Sequence, residues 1–460
     1  MKTTNPSDNA QQDFEKANGA IKDFFKNFKL GTLINSSGIR KTKGATPLTI
    51  MLSIFSLPFT GKNFFRGIVE SKSESFGKDA AYDLLKCPYY NWRKLLLTLS
   101  VGLHSFFSPL TSRDRENVLI FDDSPYERSR SKKVELLANV FDHAAMKFIR
   151  GFRLLTVCWS DGVSLLPLDF VLLSSTKEKN RYQGITKELD KRSCGYKRRL
   201  ESITKATDLL EPMVRRILSY KIKIDFILMD SWFGVPKVIT ALRRHAHVIC
   251  MVKKTSKILY GFDGLKLDVK AIYRRLKKRR GKAKILSNAI VTLSDGKRVK
   301  LVFVRHRRKK DWLVLLSTNI ELADEDVVRL YGRRWDIEVC FKMSKQHLKL
   351  VKEVQVRDYD SMIAHTTIVF MRYQFLSYKQ RLQTDSRTFG QLFYACCEEL
   401  SDISFMESLH RILTLAIDQL RKAGEYSEDV YRKLIDAIMG QAVEFFGFGK
   451  EICQRSQAVD

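Results

Sequence analysis

Two short apolar runs that each stop at aspartate constrain this chain more than any other feature of its 460 residues. Val118-Leu119-Ile120-Phe121 halts at Asp122-Asp123-Ser124-Pro125, and Ile224-Asp225-Phe226-Ile227-Leu228-Met229 halts at Asp230. Runs this short, closed by turn-forming residues, read as buried strands rather than core helices. Residues 152–158 and 163–173 add two more extended runs around a Ser160-Asp161-Gly162 turn. A helical pattern over 203–218 precedes the second aspartate strand, and a helix over 235–244 leads to a fifth strand at 248–252. Three neighbouring strands followed by alternating helix and strand predict an α/β core, a mixed sheet covered by helices.

The flanks have a different texture. Phe14, Ile21, Phe24, Phe25 and Phe28 recur at helical spacing, and 91–103 continues apolar after a Pro88 turn, so the amino-terminal region reads as helical. Within it, 77–85 is a candidate recognition helix. Residues 285–293, 299–306 and 312–316 alternate as strands with a hairpin signal at Asp295-Gly296, which predicts a β-rich insertion in the core. From Asp324 the pattern is helical to Leu350, and apolar segments at 362–376 and 389–397 continue it. The expected organisation is a helical DNA-binding region (1–112), the first part of the core (113–254), the insertion (255–318), a catalytic helix completing the core (319–352) and a helical carboxy-terminal region (353–460) suited to dimer contacts.

Charge narrows the function. Lys and Arg number 81 against 51 Asp and Glu, a formal net charge of +30, and the usual neutralising partner for such an excess in a soluble protein is nucleic acid. A membrane surface is disfavoured, because the longest apolar stretch, 50–59, is far short of the roughly 20 residues a spanning helix needs and contains Pro58. Residues 1–12 are polar and lack a secretory signal, so a cytoplasmic, nucleoid-associated protein is expected. The eight cysteines show no Cys-x-x-Cys spacing and predict neither a zinc site nor a disulfide framework. Basic residues crowd around the insertion, among them Arg279 and Arg280 before its hairpin and Arg307 and Arg308 after it, as phosphate contacts would require.

Two strand-end aspartates and a distant helical glutamate form the pattern that carries chemistry. Asp123, Asp230 and Glu338 offer hard oxygen ligands suited to Mg²⁺, with Mn²⁺ as a substitute. Two such ions per site can activate an attacking oxygen and stabilise a leaving one in phosphodiester chemistry. Asp122 and Asp123 are adjacent and strand side chains alternate, so only one of them can face the site, and alternation leaves Asp122 open as the alternative to Asp123. Tyr331, Arg334, Glu338 and Lys345 are spaced to share one face of a continuous helix, and Lys342 lies one turn from Glu338 as an alternative phosphate ligand.

Tyr331-x-x-Arg334-x-x-x-Glu338-x-x-x-x-x-x-Lys345 resembles the Tyr-Arg-Glu-Lys signature of bacterial insertion-sequence transposases of the insertion-sequence-four group. Residues 120–124 resemble the group's first aspartate motif, whose aspartate precedes a small hydroxyl residue and so implies Asp123, before Ser124, over Asp122, and Leu228-Met229-Asp230-x-x-Phe233 resembles its second. The resemblance implies a ribonuclease-H-like core, metal-dependent cutting and joining of DNA at terminal inverted repeats, and a homodimer on double-stranded DNA. It also implies that Trp312, in the insertion, stacks on a base turned out of the duplex near the cut, where a tryptophan at the head of a strand otherwise reads as core. A nuclease without strand transfer and a non-catalytic, transposase-derived DNA-binding protein are the alternatives.

Overall fold

The computed structural model describes residues 21–381 apart from 61, 71–75, 112–114, 143–144, 187, 280–282 and 307–310, together with 430, 437 and 438. The amino-terminal part is helical from residue 21 and includes α1 (Leu30–Ser36), α2 (Pro47–Ser56), α3 (Lys78–Lys86) and α4 (Trp92–Phe107). Thr46 and Asn91 cap α2 and α4, their side chains accepting the amides of Thr49 and Lys94, as the orphan donors of a first turn demand.

The sheet begins with β1 (Val118–Glu127), β2 (Ala138–Asp142), β3 (Lys147–Ser160) and β4 (Leu165–Leu173). The Gly162 turn between β3 and β4 sits at φ 87, a left-handed conformation glycine adopts without a steric penalty. After α5 (Cys194–Ser202) and α6 (Ala206–Ser219) come β5 (Phe226–Met229), α7 (Pro236–Leu242) and β6 (His247–Met251). β5 lies parallel to β1 and to β6, while β3 runs antiparallel to β1 and β4 antiparallel to β3. The core order is therefore β4-β3-β1-β5-β6, a mixed α/β sheet as expected.

The strands of the expected insertion extend that same sheet. β7 (Tyr260–Phe262), β8 (Leu265–Leu267), α8 (Val269–Arg275), β9 (Ile285–Thr292), β10 (Arg298–Arg305) and β11 (Trp312–Ser317) follow, and β11 pairs antiparallel with β6. β10 and β9 continue outward from β11, with the Gly296 hairpin at φ 79 between them. The chain then forms α9 (Asp324–Gly332), a 3-10 turn (Arg333–Trp335), α10 (Asp336–Gln346) and the 23-residue α11 (Tyr359–Arg381).

Two expectations change. The first strand does not end at Phe121 but runs to Glu127, because β3 continues past it with a residue paired opposite each position. The helix expected to run unbroken from Asp324 is split by the 3-10 turn.

α11 is buried on nearly all sides and packs against α2, α3, α4 and β4, so the amino-terminal helices and the sheet share one hydrophobic cluster. The exposed face of α3 presents Lys78, Asp79, Asp83 and Lys86, a balanced set in which Lys86 pairs with Asp83 at 2.7 Å. No helix among the described residues is long and apolar enough to cross a membrane. The apolar segment 389–397 lies outside the described residues.

Buried charge clusters tie α11 into place. Arg372 donates to Glu353 and to the carbonyl oxygens of Phe55 and Ile54, and His365 Nε2 lies 2.7 Å from Glu353. Arg198 and Arg199 both reach Asp360, and Arg199 also pairs with Glu135. Burial holds His365 below its ordinary value of 6.5, and Arg372 and His365 hold Glu353 below its ordinary 4.5. In both cases the unfolded chain takes up the proton first as pH falls, so stability is present at neutral pH and lost on acidification. The melting temperature is therefore expected to fall from pH 7.5 toward pH 5.5. The gap between wild type and His365→Gln should narrow over that range, and a gap independent of pH in parallel thermal melts would contradict the assignment.

Candidate active site

β1 sets the geometry. Beyond Phe121 its side chains alternate, with Asp122, Ser124 and Tyr126 buried and Asp123, Pro125 and Glu127 on the more exposed face. α10 and the 3-10 turn pack against this strand. Arg334 Nη1 donates to Asp122 Oδ2 at 2.7 Å and to Glu338 Oε1 at 3.3 Å, so one guanidinium spans two carboxylates. Lys345 Nζ donates to Ser124 Oγ at 2.6 Å, one strand period further along the same face.

The structure turns Asp123 the other way. Its carboxylate forms an ion pair with Arg153 of β3, while its backbone amide donates to Asp122 Oδ1 at 2.8 Å. The residue facing Glu338 is thus Asp122, in place of the Asp123 chosen from sequence. The reason is the continued pleat: once β1 runs through both aspartates, the face under α10 belongs to the even-numbered residues.

Asp230 follows β5 directly. Its Oδ1 accepts the amides of Trp232 at 2.8 Å and Phe233 at 3.3 Å, fixing a tight turn whose Gly234 lies so close to β6 that an added Cβ would stand 2.4 Å from the Met251 carbonyl oxygen. Because β5 is parallel to β1, Asp230 emerges at the same end of the sheet as Asp122. Burial, the Glu338 carboxylate and the more distant Asp230 push the Asp122 carboxyl well above the usual carboxylate range, against the opposing pull of Arg334.

Tyr331 and Arg334 are both buried, and burial raises the Tyr331 phenol. Arg334 is held firmly charged by Tyr331, Asp122, Glu338 and Asp230 in spite of its burial. Burial draws Lys345 down to about 8, and Lys342, one turn from Glu338, is exposed. The four signature side chains thus address β1 and the sheet end, although the 3-10 turn prevents them from forming the single helical arc expected.

Other expected contacts fall elsewhere. Trp312 packs in an aromatic cluster, its ring centroid 4.4 Å from Tyr273 and 5.4 Å from Phe303, with Lys254 Nζ 4.7 Å from the ring. The ring is half-buried there, as the core reading of a tryptophan at the head of a strand expects. Arg279 is exposed and reaches Glu325 at 3.9 Å, whereas Arg280, Arg307 and Arg308 lie outside the described residues.

Three residues of the neighbourhood escaped the sequence reading: Arg153, Trp232 and Lys253. Arg153 lies 5.5 Å and Lys253 Nζ 4.3 Å from the Trp232 ring. Only the Asp230-Ser231-Trp232-Phe233-Gly234 string, a large aromatic in a tight turn after a strand, carried a local signal; Arg153 and Lys253 arrive from other strands.

Residues 198–375 match the family model of the transposase DDE domain. The chain carries a transposase DDE domain. The match includes Asp230, Tyr331, Arg334, Glu338 and Lys345 and begins after Asp122 and Asp123. Among curated proteins none matches the chain. DDE domains typically use divalent metal ions and bind DNA, and the mixed sheet with its helices is consistent with their ribonuclease-H-like fold.

The residues present fit a divalent cation in character. Asp122 and Glu338 present carboxylate oxygens on either side of the Arg334 guanidinium, the hard donors a divalent cation takes. Tyr331 Oη and Arg334 Nε are buried with no hydrogen-bond partner among the described residues, a costly state that a phosphate or its hydration would relieve. Among the described residues no three acidic, His or Cys side chains yet stand close enough to chelate an ion. Arg334 occupies the approach between two carboxylates, and the Asp230 Oδ1 is engaged by its own turn.

If Asp122 is the ligand, Asp122→Asn should weaken Mn²⁺ binding by about tenfold or more, since loss of even an outer-shell partner has that effect. Asp123→Asn should leave it nearly unchanged. Calorimetric titration of both variants checks this, and the reverse ranking would restore Asp123.

Proposed function

We propose that the chain is a DNA transposase of the insertion-sequence-four group, cutting and joining DNA at the terminal inverted repeats of a mobile element. The observation that carries this reading is the contact of Arg334 with both Asp122 and Glu338, beside Asp230, in a chain that carries a DDE domain. Asp122, Asp230 and Glu338 would hold two Mg²⁺ or Mn²⁺ ions. When bound, such ions activate the attacking oxygen and stabilise the leaving one in phosphodiester displacement.

The chain's own groups prepare that chemistry. Arg334 offsets the repulsion between the buried Asp122 and the half-exposed Glu338, keeping the two acids side by side. Tyr331 Oη and Arg334 Nε are donors suited to a non-bridging phosphate oxygen. Lys345, with its value near 8, stays mainly cationic at neutral pH and can orient a phosphate from the α10 side of β1. The exposed basic residues Arg274, Arg275, Lys277, Lys278 and Arg279 would bind DNA backbone without reading sequence. Because two element ends are joined in one reaction, the working form on DNA is a dimer.

On duplexes carrying the inverted repeats that flank the coding region, Glu338→Gln is expected to abolish Mg²⁺-dependent strand cleavage while leaving gel-shift affinity nearly intact. It removes a metal-binding charge, and the phosphate contacts come from other residues. Full cleavage by the variant would sink the assignment, and cleavage without strand-transfer products would reduce the wild type to a nuclease. Affinity for the same duplex should fall steeply with salt, with a slope of several units in log K against log salt; a flat dependence would remove the role given to the basic residues.

A further inference from the structure

Trp232 has an unusual setting for the largest side chain of a turn. Its relative exposure is 38%, whereas its neighbour Phe233 is fully buried and anchors the turn in the core. Its own amide is tied to the Asp230 carboxylate, and Gly234 closes the turn against β6. The ring is consequently held two residues from a proposed metal-binding acid and retains little freedom to move away.

Two cations from different strands attend it. Lys253, just beyond β6, places Nζ 4.3 Å from the ring centroid, and Arg153 of β3 lies 5.5 Å away, its orientation fixed by the ion pair with Asp123. Lys253 has no carboxylate partner among the described residues. An indole alone at a surface is common. An indole held rigidly beside an acidic site and flanked by cations has the composition of a single-strand nucleic-acid platform, in which aromatic faces take bases and cations take phosphates.

We propose that Trp232 stacks an unpaired nucleobase of the DNA strand processed at Asp230, with Lys253 released from the ring to an adjoining phosphate. This role rests on the transposase reading above and gives Asp123 a purpose outside metal binding: it holds Arg153 against the platform. Trp312 is instead half-buried and packed against Tyr273 and Phe303.

The test uses the full chain in EDTA, so that no cleavage occurs, with a fluorescein-labelled oligothymidylate and a duplex of the same length. Trp232→Leu is expected to weaken single-strand binding by roughly fivefold to a hundredfold, the range for loss of one base-aromatic stack. Duplex affinity should change little, and Trp232→Phe should recover most of the loss. A 2-aminopurine in a single strand should be quenched on binding wild type and the Phe variant but not the Leu variant. Equal weakening for both DNA forms, no weakening, or equal quenching by Leu and wild type would overturn the stacking role. Failure of the wild type to bind either DNA would overturn the transposase reading with it, whereas normal wild-type binding with indifferent variants removes only the platform.

Discussion

The guanidinium of Arg334 between Asp122 and Glu338 is the contact on which the arrangement of the site depends. Two carboxylates brought close together repel one another, and burial adds a further penalty for the charged form of Asp122. A permanently charged, planar group can bond both at once and keeps its proton under any physiological condition. Asp122 lies on β1 and Glu338 on α10, so the same contact fixes the strand against the helix. Lys345 with Ser124 repeats the attachment further along, which leaves α10 little room to slide or rotate over the sheet.

Similar logic holds the rest of the molecule together. Arg93 and Arg216 meet at Asp169 and Glu201, Arg329 and Arg333 at Glu116, Arg381 at Asp161, and Arg372 at Glu353. Burying charge is expensive, and a buried pair is weak support for net stability. Removing one partner nevertheless leaves an unpaired charge, so these pairs penalise wrong packings of α4, α9 and α11 more than they favour the right one. In a chain with a large cationic excess, nearly every buried acid is claimed by arginine, and the uncompensated positive charge is left for the surface.

Extension of the sheet has a mechanical consequence. β11 pairs directly with β6, so the strands between β6 and α9 are continuous with the sheet that carries Asp122 and Asp230. The Trp312, Tyr273 and Phe303 cluster fastens α8 to that extension. A rigid sheet joining the catalytic end to the basic residues near α8 would keep bound DNA in register with the acids without a separate hinged module.

Local sequence determined a good deal. The apolar runs at Val118 and Phe226, the Gly162 and Gly296 turns and the helical spacing after Asp324 each follow from side-chain period or backbone freedom over a few residues, and each was legible. Asp230 at its strand end and the spacing of Tyr331, Arg334, Glu338 and Lys345 stand out in the sequence, while the 3-10 turn alters the arc that this spacing predicted. What tertiary structure alone decided is which aspartate faces Glu338. Asp122-Asp123-Ser124-Pro125 reads locally as a turn, but β3 supplies hydrogen-bond partners through Glu127, keeps the strand pleated and turns Asp122 toward α10 and Asp123 toward Arg153. The 3-10 break at Arg333, the joining of Trp232 with Arg153 and Lys253, and the packing of Trp312 against Tyr273 and Phe303 were hidden likewise, because each depends on contacts between residues far apart in the chain, whose partners no local period encodes.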